Sequence, residues 1–105
     1  MLIVTTFDVP NKQIKKTLGI VKGNTIRARH IGKDIMAGLR GVVGGELHEY
    51  TKLLAESREQ AIDRMVEDAE VLGANAIVGM SFTTSVMAQG SAELMAYGTA
   101  VIIED

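Results

Sequence analysis

The chain has 105 residues, 47% of them hydrophobic, a formal net charge of -2 and no cysteine. That length supports one domain, residues 1–105, around a single core, and the missing thiols exclude disulfides, thiolate catalysis and finger-type zinc sites. With aromatics at 4%, the core has to be aliphatic.

The net charge conceals an uneven distribution. Lys12, Lys15, Lys16, Lys22, Arg27, Arg29, Lys33 and Arg40 are accompanied by a single acid after Asp8, Asp34, and acids dominate from Glu46 onward. Such asymmetry suits an anionic partner, or lets the basic part of one copy meet the acidic part of the next. Nucleic acid is not the expected partner, because no aromatic interleaving or recognised motif accompanies the basic residues.

In chain order, Met1 to Phe7 predicts a strand, closed at Asp8-Val9-Pro10-Asn11 by a proline without an N–H donor and a turn-forming asparagine. Its opening Leu2-Ile3-Val4 is too short for a signal peptide or a membrane span, so no membrane partner and a cytoplasmic location are expected. Ile14 to Lys22 predicts a second extended segment, and Gly23-Asn24 a turn leading into Thr25 to Arg29 as a hairpin. Ile31, Ile35 and Leu39 recur at helical spacing, so His30 to Leu39 reads as a short Gly-rich helix. Gly32 and Gly38 weaken it by about 1 kcal/mol each relative to alanine.

Arg40-Gly41-Val42-Val43-Gly44-Gly45-Glu46 then precedes a long helix. Glycines there allow positive φ and bring N–H groups near an anion, with Glu46 at the positive end of the helix. The favoured alternative is a tight bend with close packing, since the phosphate-loop and dinucleotide patterns are both absent.

Glu46 to Leu72 carries Leu47, Tyr50, Leu54, Ala61, Ile62, Met65, Ala69 and Leu72 at helical steps, without proline or glycine, and Gly73 marks the stop. Arg58 falls inside that apolar stripe, within roughly 20° of Met65 on the helical wheel. A guanidinium there needs a carboxylate, backbone carbonyls or a wet cavity, which makes Arg58 either half of an ion pair or part of an anion site.

Ala76 to Phe82 predicts a buried strand, Thr84 to Ala92 a polar connection, and Glu93 to Glu104 the last strand. The apolar residues of that last strand occupy both alternating sets, Leu94, Ala96, Ala100 and Ile102 against Met95, Tyr97, Val101 and Ile103. One long helix covers one side of a small sheet and the short helix little of the other. The second face is therefore expected to close against another copy, as a homo-oligomer.

Three stretches together resemble the YbjQ family, known from bacteria and labelled as a heavy-metal-binding domain. They are Arg40 to Tyr50 with Gly44-Gly45-Glu46, Gly73-Ala74-Asn75-Ala76-Ile77-Val78-Gly79 with Ser85 beyond, and Tyr97-Gly98-Thr99-Ala100-Val101. The resemblance spans essentially the whole chain. It implies an α+β subunit with a dodecin-like β-α-β-β core, a small antiparallel sheet in order 1-3-2 packed on one long helix, assembling as a pentameric ring. The N-terminal strands and the Gly-rich helix are additions to that core. The family brings no established activity and names no cofactor.

Three functional classes follow. The leading one is a homo-oligomeric binding or assembly module that holds a small ligand between subunits. A heavy-metal-binding protein is the first alternative, with His30, His48, Met80 and Met95 as candidate ligands. Soft thioethers suit copper(I) if an oligomer gathers them, although methionines more commonly fill aliphatic cores. The third is a small-molecule enzyme, in which Arg40, Glu46, Arg58, Glu93 and Tyr97 converge in a cleft between subunits, the arginines holding an anion. No nucleophile–base motif assigns a catalytic residue.

Overall fold

The computed structural model describes residues 1–27, 45–88 and 91–105. Its elements are β1 (Leu2–Ile3), β2 (Gln13–Arg27), α1 (Gly45–Val71), β3 (Ala76–Ala88) and β4 (Ser91–Glu104). They form one four-stranded sheet in the order β1-β3-β4-β2, with α1 lying over β2 and β4. β4 runs antiparallel to both neighbours and β1 adds a short parallel strip to β3, so the sheet is mixed rather than wholly antiparallel. The short helix expected over His30–Leu39 and the bend over Arg40–Gly44 lie outside the described residues.

The long helix ends as its sequence predicts. Gly73 takes φ 84°, its N–H donates to the Glu70 carbonyl and the Ala74 N–H to the Ala69 carbonyl. This double bond pattern satisfies carbonyls that the helix end would otherwise orphan. At the N-terminal turn, Asn11 takes φ 67° and the Lys12 N–H returns to the Val9 carbonyl.

Gly23-Asn24 does not make a turn. β2 runs through it without interruption, pairing Gly23 with Ala96 and Asn24 with Met95. Glycine is needed at position 23 because α1 crosses there, and a Cβ would lie 2.1 Å from the Ala61 carbonyl oxygen. Glycine in a strand can thus mark close backbone approach as well as a turn. The expected connection over Thr84–Ala92 is also mostly strand, since β3 and β4 stay paired out to Ala88 and Ser91. Thr84 and Ser85, adjacent and on opposite faces of the strand, are both exposed.

The contact line of α1 runs through Ser57, Ala61, Met65 and Ala69, all buried, while Arg58 is exposed. This corrects the wheel-based placement of Arg58. A wheel assumes one fixed buried direction, whereas a helix crossing a sheet obliquely touches it along an i, i+4 ridge that drifts around the axis. That ridge passes through Ser57 one turn below Ala61, and leaves Arg58 on the solvent side.

Opposite the ridge, Val21, Ile77, Ala96 and Ala100 complete the main core. The buried Thr25 hydroxyl lies 3.4 Å from the Ser57 and Leu94 carbonyl oxygens, which accept from it. A smaller cluster of Ala76, Val78 and Val101 lies on the other face of the sheet, covered by Val4 and Val9. The N-terminal segment is held there by the Val4 N–H on the Ile77 carbonyl (2.9 Å), and by the Gly79 and Met80 N–H groups on the Thr6 and Val4 carbonyls. Gly79, at φ 62°, and Met80 together oppose one residue of β4 in a bulge.

Asn75 extends the sheet with its side chain. Its Nδ2 donates to the Ile103 carbonyl at 2.9 Å and its Oδ1 accepts from the Ile103 N–H at 2.8 Å, as a strand residue would. Asn75→Ala is expected to lower stability by about 1 kcal/mol, since both Ile103 groups lose a partner but stay within reach of water. A thermal melt showing no loss would contradict that role. Beyond it, Lys12 pairs with Asp105 at the surface, and this contact holds the Asp105 carboxyl below its ordinary pKa.

Candidate binding surface

Strand alternation decides which side of the sheet each candidate residue faces. Ala96 and Ala100 point at α1, so Glu93, Met95, Tyr97, Thr99 and Val101 share the opposite face. Along that face the register sets Lys22 and Ser81 on either side of Tyr97, Asn24 and Thr83 beside Met95, and Ile26 and Ser85 beside Glu93. Directly opposed residues have Cβ atoms about 5 Å apart, close enough for one small ligand to touch all three strands.

Cover on this face is uneven. Val101 is 1% exposed beneath Val4 and Val9, whereas Tyr97 is 37% and Ile20 79% exposed. The sequence-based expectation that one subunit cannot close the second face thus fails for residues 101–103, where the N-terminal segment does so. At residues 93–97 the described parts of the chain leave Tyr97 exposed and Glu93 and Met95 half-buried. The open half offers the Lys22 ammonium, the Tyr97, Ser81 and Thr83 hydroxyls, the Asn24 amide and the Glu93 carboxylate. These groups can both donate and accept hydrogen bonds.

Within one subunit the proposed cleft residues do not share a single face. Glu93 and Tyr97 lie on one face, while Arg58 sits exposed on α1, which covers the other. The sheet separates them. Arg40 and Gly44 lie outside the described residues, and Gly45 and Glu46 form the first turn of α1.

The metal candidates divide in the same way: Met80 packs against the main core under α1, and Met95 faces away from it. His30 lies outside the described residues, and His48 is known only as a position in α1. No group of three His, Cys, Asp or Glu side chains capable of holding a metal occurs among the described residues. The described donors of one subunit therefore do not fit a metal centre.

Lys22, Asn24, Ser81 and Thr83 were not among the candidates read from sequence. Their signal was the polar alternation Lys22/Asn24 and Ser81/Thr83/Ser85, hidden by taking Gly23-Asn24 and Thr84 onward as breaks.

A family model described as "Putative heavy-metal-binding", YbjQ_1, matches residues 1–104. The chain belongs to the YbjQ family. Its YbjQ relatives include a UPF0145 protein from Methanosarcina acetivorans, 60% identical over 103 residues, covering 98% of this chain and 97% of the relative. Another, from Dehalococcoides mccartyi, is 58% identical over 104 residues, covering 99% and 100%. A third, from Clostridium perfringens, is 54% identical over 105 residues, covering 100% and 99%. The family thus extends to archaea as well as bacteria. A crystal structure of a protein of unknown function, of the DUF74 family from Pediococcus pentosaceus, superposes with a TM-score of 0.65 at 17% identity. It covers 99% of this chain and 98% of its own, a likeness of fold alone.

Proposed function

We propose that this YbjQ protein is a self-associating binding module, in which copies close the open half of the sheet and hold a small polar ligand between them. The observation that carries this reading is the contrast along β4, dry on both faces at Val101 and open at Tyr97. A strand residue with a large aromatic side chain and a polar tip suits an interface where one end is buried and the other bonds a ligand. On this reading the subunit is a dodecin-like β-α-β-β unit with β1 added, and the assembly is the cytoplasmic pentameric ring that the family resemblance implies.

Native mass spectrometry of protein purified from its own cells tests this reading. The expected result is a multiple of 11.3 kDa carrying added mass released on denaturation. A bare 11.3 kDa species would contradict it. The heavy-metal label of the family finds no support in the described side chains, and no step is assigned to a metal.

A further inference from the structure

We propose that the N-terminal segment, residues 1–9, is a releasable strap. It opens as a unit while α1 and the three long strands stay folded, and in opening it bares the closed half of the sheet's second face. The strap and its seat belong to one chain, and its release needs no second copy.

The segment is held far more lightly than the rest of the sheet. None of residues 1–9 is buried; Ile3, Val4 and Val9 are half-buried and the others exposed. Its ladder with β3 consists of Leu2 beside Ala76 and Ile3 beside Ile77, whereas β4 is paired with β3 from Ala76 to Ala88 and with β2 from Gln13 to Arg27. The Leu2 N–H reaches the Asn75 carbonyl only at 3.4 Å, and the shorter bonds are those of Val4 and Thr6 to Ile77, Gly79 and Met80. Few buried apolar contacts and solvent-exposed backbone bonds mark a segment that opens below the free energy of global unfolding.

The seat is built into β3. Gly79 and Met80 are consecutive, yet both N–H groups leave the sheet toward the segment, whereas successive N–H groups of a regular strand alternate in direction. The bulge and the positive φ of Gly79, 62°, produce that arrangement. Two Phe7 ring carbons lie 3.1 Å from where a Cβ would stand on Gly79, so the ring rests on bare backbone, and it stays 86% exposed. Phe7 therefore contributes little burial to the closed state, which depends on the backbone bonds and on Val4 and Val9.

Release uncovers a continuous surface. Ala76, Val78 and Val101 lie under Val4 and Val9, on the face of β4 that also carries Tyr97 and Thr99. Opening joins this dry half to the open one. The main core of Val21, Ala61, Met65, Ala69, Ala96 and Ala100 lies on the other side, and of residues 1–9 only Ile3 packs against it. By register the strap sits at the opposite end of the sheet from Arg27 and Ala92.

Amide hydrogen exchange read residue by residue tests the strap. In wild type the Val4, Gly79 and Met80 amides should share one protection factor, about 100-fold or more below that of the β3–β4 ladder amides, with a weaker urea dependence because less surface is exposed. Met65→Ala destabilises the closed and the opened chain alike relative to the unfolded one. It should speed the ladder amides by roughly 30-fold or more and leave those three unchanged. The urea dependence of wild type stands even if Met65→Ala fails to fold. Three amides as protected as the ladder, sharing its urea dependence or its response to Met65→Ala, would overturn the strap, since the segment then opens only when the whole chain unfolds. Three amides with unrelated protection factors would overturn it as well, since the segment then frays rather than opening as a unit. Either result leaves the self-association reading untouched.

Discussion

Gly23→Ala is expected to cost more than any other single added methyl in the described chain. The new Cβ would stand 2.1 Å from the Ala61 oxygen, 2.4 Å from the Met65 nitrogen and 2.9 Å from the Arg64 carbonyl carbon. All three are backbone atoms of α1, so no side chain can rotate away. Relief requires the helix to lift off the sheet, exposing Val21, Ala96 and Ala100, which are 0% exposed. Overpacking with backbone displacement costs about 3 kcal/mol or more, and the melting temperature should fall by roughly 12 °C or more. Circular dichroism melts at matched concentration check this. A variant melting within about 2 °C of wild type would show that helix and strand do not approach so closely.

Met65→Ala is the second large effect. Met65 heads the fully buried side chains by volume, and its neighbours in the cluster include Ala61, Ala69, Ala96 and Ala100. Alanines have no longer side chain to swing into a vacated volume, so the cavity persists and the loss should lie at about 2–5 kcal/mol. Met65→Leu, which nearly conserves volume, should lose less than about 1.5 kcal/mol. Equal losses in the two variants would mean that the site discriminates shape rather than volume.

Both residues show what the sequence discloses and what it withholds. The helix from Glu46 to Leu72, its stop at Gly73 and the terminal strand are legible because each depends on local signals, namely spacing, an αL-prone glycine and β-branched runs. Gly23 is illegible alone, since a glycine that yields a turn and one that admits a crossing helix look identical until the partner is placed. Arg58 is illegible for a related reason: which line of α1 meets the sheet, here Ser57, Ala61, Met65 and Ala69, is tertiary information. The candidate surface suffered most. Tyr97 and Glu93 were visible as chemistry, but the neighbours that give them a context, Lys22, Asn24, Ser81 and Thr83, are set by register between strands distant in sequence.

Strand register also limits the surface over which copies could meet. The terminal strand is apolar on both faces, yet its lower part is closed by Val4 and Val9 of the same chain. The N-terminal segment leaves the part from Glu93 to Tyr97 uncovered, with Tyr97 exposed. Interfaces favour aromatic residues beside hydrogen-bonding groups of this kind.

Sedimentation velocity of the wild-type chain at micromolar concentration tests that claim most directly. The account predicts one species at a multiple of 11.3 kDa. A species sedimenting as a single 11.3 kDa chain across that range would contradict it.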